Sequence, residues 1–369
     1  MRVGVVGVGG TGSAACRHLA RMGHQVVGFE QFHMGHTHGS SHGTSRAIRY
    51  AYRDPFYTKW MRESFRLWAE LEQDCGEKLY ERTGILMMGD GQSEYLSQVA
   101  ASLDVCDVEY DLLNASTAAR RYPAMGFHPE EEVLFQPEGG FLRANHCLHQ
   151  NIRLAREHGA EIRFNTPVTH IKQQPDDSVL LITPEGDEIF DKVIITAGPW
   201  IGIVLRQLNL PLVITRQQVA YLPVAANPQQ FLPTQQPVWI DTSSLYYGFP
   251  YDGESEGIKI ASDIRGDTVD PNFVNPEVDR DYVNKLTEYA SVRFPDLSLN
   301  MIHSHVCLYT NAPREDFLLD TVPDASSISF VSGCSGHGFK FTILLGWLAA
   351  QLATGGEISG DISRFKLNS

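Results

Sequence analysis

The chain has 369 residues, 43% of them hydrophobic and 20% charged, with a formal net charge of −14. That composition belongs to an ordinary globular protein, and the length allows about two domains with ample core. With no dense Lys/Arg run, nucleic acid and anionic membrane are poor partners.

The opening MRVGVVGVGG reads as a strand, not a signal peptide, because it lacks a basic leader, an apolar stretch and a cleavage site. A cytoplasmic chain is expected. Val3 to Val6 form the strand, and Gly7, Gly9 and Gly12 make G-x-G-x-x-G. Ala14, Ala15, Leu19 and Met22 then recur at helical spacing up to Gly23, a natural stop. A second strand, Gln25 to Phe29, ends in Glu30. The pattern suits a dinucleotide. Gly7 allows the tight turn, Gly9 lets backbone approach the pyrophosphate, and Gly12 lets helix pack closely on strand. The helix N-terminus offers free N–H groups to the anion. An acid about twenty residues on takes the ribose hydroxyls. It disfavours a 2′-phosphate, so FAD or NAD is expected over NADP. His33, His36 and His38 suggest a metal by count, but a loop without partnered acids is the better reading, and no metal site is expected.

Asp54 to Leu71 is mostly helical. Phe141 to Val168 reads as a helix, stopped at Gly159, and then an extended segment. Turn signals at 175–177 and 184–186 separate three apolar runs, a β-meander whose last run, KVIITAG, is a buried strand. Residues 214–265 are rich in β-formers and turns and predict an antiparallel sheet. Residues 275–295 predict a helix, and 327–356 return to strand, glycine turn and helix. The apolar run from Phe341 to Ala353 is too short to span a bilayer, and the ending FKLNS is not a peroxisomal address. The six cysteines, Cys16, Cys75, Cys106, Cys147, Cys307 and Cys334, form no C-x-x-C pair, so neither zinc nor disulfides are expected. The pattern is α/β, with nucleotide-type pieces interrupted by a mostly β piece.

Six segments in order carry a family resemblance: the N-terminal motif, GSSHGTSRAIRYAY (39–52), TAGPW (196–200), YYGFP (246–250), CLYTNAPREDFLLD (307–320) and SGHGFKF (335–341). The chain resembles the monomeric sarcosine oxidase and N-methyltryptophan oxidase family, FAD enzymes that oxidise secondary amino acids. The resemblance implies a Rossmann-type FAD-binding domain from segments 1–82, 140–213 and 305–369. An antiparallel β-sheet substrate domain with helices then comes from 83–139 and 214–304. It implies FAD bound covalently through Cys307, a small amino acid-type amine and molecular oxygen as partners, and a monomer. On residues alone, Cys307 is either a buried packing cysteine or a thiol that carries chemistry. Gly7, Gly9, Gly12, Glu30, Ser40, Ser45, Val168, Gly336, His337, Gly338 and Lys340 are implied around the cofactor. The turn GCSGHG can point N–H groups at the flavin's pyrimidine edge, like an oxyanion hole, or can simply need glycine at φ > 0.

The resemblance places Arg49 and Lys340 as a carboxylate clamp, a fork plus a point charge. On residues alone a structural salt bridge explains Arg49 as well. Lys340 at a helix start opposes the dipole unless an anion is near. Lys259 alternates with Ile258 and Ile260, so it faces the other side of its strand. It matches the lysine that promotes reaction with oxygen, though without the resemblance a solvated lysine is the better reading. Arg46 and His42 match flavin-environment residues, and Tyr309 joins the catalytic set. Asp263 falls where sarcosine-type enzymes carry a histidine. Either it pairs with a residue such as Arg265 and is silent, or it recognises a donor or cation on a substrate larger than sarcosine. The second is favoured. The competing functions are a dehydrogenase with another electron acceptor, against which Lys259 argues, and a flavin-binding sensor, which needs no carboxylate clamp.

Overall fold

The computed structural model describes residues 1–358 and 360–367. Among them the strands form two large sheets and two small ones. The first large sheet runs, in spatial order, Leu318–Val322, Ala325–Ser332, Lys192–Ile195, Arg2–Val6, Gln25–Phe29 and Glu161–Arg163. Its neighbours pair in parallel, except for the antiparallel edge hairpin. Val3 to Val6 are buried, as a continuous apolar run between two covered faces requires.

The helix Gly10–Arg21 follows the first strand and packs beside the helix Thr342–Thr354. Small residues set that approach. A Cβ on Gly346 would lie 2.6 Å from that of Ala14. Met22, expected on the buried face, is the exposed cap residue of its helix. The long helix Pro55–Cys75 starts on Asp54, whose side chain accepts the Phe56 N–H, and stops at Gly76 in the left-handed region.

The second large sheet runs His303–Asn311, Val213–Leu222, Ile258–Ser262, Tyr246–Gly248, Val238–Asp241, Ile85–Asp90, Glu131–Gln136 and Asp111–Asn114. It is antiparallel but for the parallel pair of Val238–Asp241 with Ile85–Asp90. The helix Arg280–Arg293 buries Leu286 and Ala290 against it.

Three local readings need correction. Phe141 belongs to the strand Gly140–Arg143, and the helix begins at Ala144. The third apolar run is two strands divided at Asp191: Gly186–Phe190 closes a three-stranded meander, while Lys192–Ile195 joins the parallel sheet. The first half is largely exposed and the second largely buried, but Ile189 and Phe190 run so closely into Val193 that local pattern cannot say which sheet each half joins. The strand His303–Asn311 pairs with Val213–Leu222. Cys307 therefore rides on the second sheet, and the boundaries expected at 213 and 305 fall within or beside paired strands. No described helix is long and apolar enough to cross a membrane.

Candidate active site

A cavity of about 470 Å³ runs between the two large sheets, from the glycine motif to the Arg49–Lys340 region. At its first end the sequence dictates a bare backbone. Gly7 has φ +90°, and a Cβ there would lie 2.6 Å from the Thr196 carbonyl oxygen. A Cβ on Gly12 would lie 1.9 Å from the Gly7 oxygen, so no side chain fits. At Gly9 the nearest atom to a Cβ is Ser41 Oγ, 3.1 Å away, and this hydroxyl accepts the Gly10 N–H at 3.0 Å. Glu30 is buried, and its carboxylate accepts the N–H groups of Val8 at 3.0 Å and Phe32 at 3.2 Å. Burial raises its pKa. His36 Nε2 lies 3.5 Å from Glu30, so the histidine loop does have an acid beside it. Among the described residues no group of His, Cys, Asp and Glu could hold a metal. His36 instead stacks on His38 and leans on Phe32.

Midway, the loop 40–45 crosses the cavity wall. Arg46 spends its guanidinium on this loop, donating to the carbonyls of Ser45 at 2.9 Å, Ser40 at 3.1 Å and His42. Ser40 Oγ donates to the Leu308 carbonyl, tying the loop to the Cys307 strand. Ser45 Oγ and His42 Nε2 are buried without a protein partner. Burial, then Arg46, lowers the His42 pKa to about 3. Val168 lines the same cavity. Lys259 is 3% exposed, and its Nζ donates to the Ser45 carbonyl at 2.7 Å above the Phe249 ring. Burial, then Arg46, brings its pKa well below the ordinary lysine value. It is no solvated lysine. Its neighbours Ile258 and Ile260 face the opposite core, as strand alternation requires. Cys307 also lines the cavity. Burial raises its thiol pKa, while Arg46 and Lys259 pull it down.

At the far end lies the turn 333–338. Gly336 has φ +82°, and a Cβ there would meet the Tyr309 ring at 2.4 Å; one on Gly338 would meet Cys334 at 2.5 Å. The next residues form a short 3₁₀ turn, Phe339–Phe341, so Lys340 precedes the last helix rather than opening it. Lys340 is 5% exposed, and its pKa is lowered well below normal by burial and by Arg49. Its Nζ donates to the His337 carbonyl at 2.8 Å and to Tyr52 Oη at 3.1 Å. The hydrogens along the rest of this chain have one consistent arrangement. His337 Nε2 lies 2.9 Å from the Glu315 carbonyl, which only accepts, so Nε2 carries the proton. Its Nδ1, 3.2 Å from Tyr52 Oη, therefore accepts from the tyrosine. An ammonium has three donors, and this leaves Lys340 one. Beside it the Arg49 guanidinium stacks 4.3 Å from the Tyr52 ring centre, and its Nη1 is buried with no partner. Two adjacent desolvated cations with unused donors make a ready anion site.

Asp263 and Tyr309 line this end too, and the Tyr309 and Tyr247 hydroxyls lie 3.3 Å apart. Asp263 pairs with Arg265 at 3.3 Å, yet its side chain remains 55% exposed. The ion pair with Arg265 therefore leaves part of the carboxylate open to the cavity. Tyr52, Tyr247 and Ser41 were missed as site residues. Tyr52 and Ser41 lie within GSSHGTSRAIRYAY and Tyr247 opens YYGFP's core, but which side chains meet depends on the fold.

Bare glycine backbone, a helix N-terminus and a buried acid suit a dinucleotide, and His42 and Arg49, each with an unpartnered nitrogen, line the same cavity. The pattern of the FAD dependent oxidoreductase family called DAO matches residues 2–352. The chain belongs to this family. It is 32% identical over 372 residues to a monomeric sarcosine oxidase of Bacillus sp. (strain NS-129), covering 99% of this chain and 95% of that one. It is 30% identical over 374 residues to an N-methyl-L-tryptophan oxidase of Salmonella agona, covering 99% and 97%. Among solved structures it resembles the open form of NikD, an amino acid oxidase of nikkomycin biosynthesis. The TM-score is 0.89 and the identity 26%, covering 99% and 96%. Family membership makes the protein an FAD-dependent oxidoreductase.

Proposed function

We propose that the protein oxidises the C–N bond of a secondary or N-methyl amino acid, with oxygen as final acceptor. The products are an imine, which water hydrolyses, and hydrogen peroxide. The observation that carries this reading is the pair of buried cations, Lys340 and Arg49, with donors left over at one end of a dinucleotide cavity. They suit a substrate carboxylate. When bound, FAD supplies the electron acceptor and returns the pair to oxygen. Gly7, Gly9, Gly12 and Glu30 would hold its nucleotide end. The loop with Ser40 and Ser45, together with Val168 and the turn Gly336-His337-Gly338, would hold the rest. Around the reacting centre the protein orients the carboxylate, keeps water out with Tyr247 and Tyr309, and sets a proton-bearing nitrogen, Lys259 Nζ, against the cavity.

A panel of N-methyl, cyclic and D-amino acids tests the reading. Anaerobic flavin bleaching and peroxide release with oxygen as sole acceptor are expected for at least one of them. Bleaching without reoxidation by oxygen would instead indicate a dehydrogenase. Lys259→Met is expected to slow reoxidation by orders of magnitude while changing anaerobic reduction less; equal reoxidation rates would make it a packing residue.

The reading includes covalent attachment of FAD at Cys307, supported by a buried thiol on the cavity wall close enough to Arg46 and Lys259 to feel their charge. Acid-precipitated protein should stay yellow, and Cys307→Ser should release the colour. The protein is also taken to be a cytoplasmic monomer, for which light scattering at the mass of one chain is the check.

A further inference from the structure

We infer that Asp263 selects the substrate: besides its carboxylate and reacting amine, the molecule oxidised here carries a second, cationic nitrogen that the Asp263 carboxylate receives. This rests on the amine-oxidase reading and names the substrate class for that site.

Asp263 immediately follows the Lys259 strand, and its N–H donates to the Leu245 carbonyl at 2.8 Å, which pins it to the neighbouring turn. Its side chain lines the cavity and is 55% exposed. Oδ1 takes a long bond, 3.3 Å, from Arg265 Nη1. That guanidinium is committed elsewhere. Its Nη2 donates to Glu315 at 2.6 Å and to the Ser335 carbonyl at 3.0 Å, and it lies over the Tyr309 ring. Two carboxylates thus share one guanidinium, leaving the group net negative. Among the described residues Oδ2 has no protein partner.

Burial, then Glu315, raises the Asp263 pKa, while Arg265, Arg49 and Lys340 are near enough for their charges to pull it back down. The cavity therefore sets one anionic side chain within electrostatic reach of its cationic wall. A substrate that fills it strips water from Oδ2. A neutral side chain would leave that carboxylate oxygen without a partner, whereas a cationic nitrogen replaces the lost water. Discrimination then comes as much from rejecting the neutral molecule as from attracting the charged one. The reacting amine has to be neutral to give up electrons, and a carboxylate against it would favour its protonated form. Asp263 therefore suits a second nitrogen and not the one being oxidised.

The test compares N-methyllysine and N-methylornithine with N-methylnorleucine and N-methylnorvaline, in both configurations, on the flavin-loaded enzyme and on Asp263→Asn. In wild type, kcat/KM should favour the cationic member by about tenfold or more, the scale of a hydrogen bond to a charged group. In the variant the preference should collapse toward unity. Binding gives an independent readout. Titrating flavin absorbance with 6-aminohexanoate and hexanoate, and with their five-carbon counterparts, should show the same ranking and the same collapse. Equal handling of cationic and neutral members by wild type, or an unchanged ranking in the variant, overturns the inference. If no N-methyl amino acid yields peroxide but the aminohexanoate preference appears and depends on Asp263, the amine-oxidase reading fails while the anionic subsite stands.

Discussion

The two ends of the cavity are built on opposite plans. The nucleotide end is backbone: three glycines, a helix start and one acid, all within residues 3–30. The other end sets side chains drawn from distant segments, Arg49 and Tyr52, Asp263 and Arg265, Tyr309 and Glu315, His337 and Lys340, around the glycine turn 333–338. A site made of backbone tolerates no added atoms, whereas a site made of side chains tolerates substitution but loses function by degrees.

The harshest test of that contrast is Gly12→Val. With the Gly7 oxygen 1.9 Å from the new Cβ, strand and helix cannot keep their places. The expected result is little soluble flavin-loaded protein, judged by visible flavin absorbance per chain. A yellow, folded variant would show that the cradle yields more than the contrast allows.

At the other end, Arg49→Ala or Lys340→Ala should leave a folded yellow protein. Substrate affinity should fall by roughly 2–5 kcal/mol, as when one partner of a buried charge pair is truncated. The matching decarboxylated amine should lose little, and equal losses for both would remove the carboxylate from the assignment.

Tyr52→Phe probes the contrast more finely. The ring under Arg49 stays, but Lys340 loses one acceptor and His337 Nδ1 loses its donor. A cost of about 1–2 kcal/mol in substrate affinity follows from one buried hydrogen bond. It should appear in KM for carboxylate substrates and not for a decarboxylated amine; a pure stability loss would move neither.

Acid gives the most gradual effect. Burial lowers His42 and His337 to about 3 from an ordinary value of 6.5. In the unfolded chain both take up protons below about 6.5, while the folded protein resists until about 3. Stability should therefore be unaffected by these groups above pH 6.5 and fall as pH drops toward 3. The slope for His42 is about 1.4 kcal/mol per pH unit. Chemical denaturation at several pH values, with His42→Asn as comparison, measures it; an identical slope in the variant would exonerate that residue.

The same contrast explains what the sequence made legible. The cradle was readable because turn, helix and acid must follow one another along thirty residues, and Lys259's direction was readable because strand alternation is local. That Arg49 and Lys340 meet at one place needed the family resemblance. The chain from Lys340 through Tyr52 to His337 was invisible, since nothing local links positions 52 and 337. The splitting of one apolar run at Asp191 was hidden for a related reason. Hydrophobic pattern reports burial and not which sheet a strand joins, and only Asp191 and Lys192 separate Phe190 from the buried Val193. His36 beside Glu30 was missed because the acid precedes the loop instead of lying in it.

One feature of the fold reaches beyond catalysis. Cys307 rides on the antiparallel sheet, while the glycine cradle belongs to the parallel one. A single ligand lying along the cavity touches both, so its binding free energy stabilises each half only while the other is folded. Loading with FAD should therefore sharpen their joint unfolding, with the ligand serving as a cross-brace beside the hydrophobic core that already packs Val3, Val5 and Ile194 of one sheet with Ile85, Met87 and Leu134 of the other.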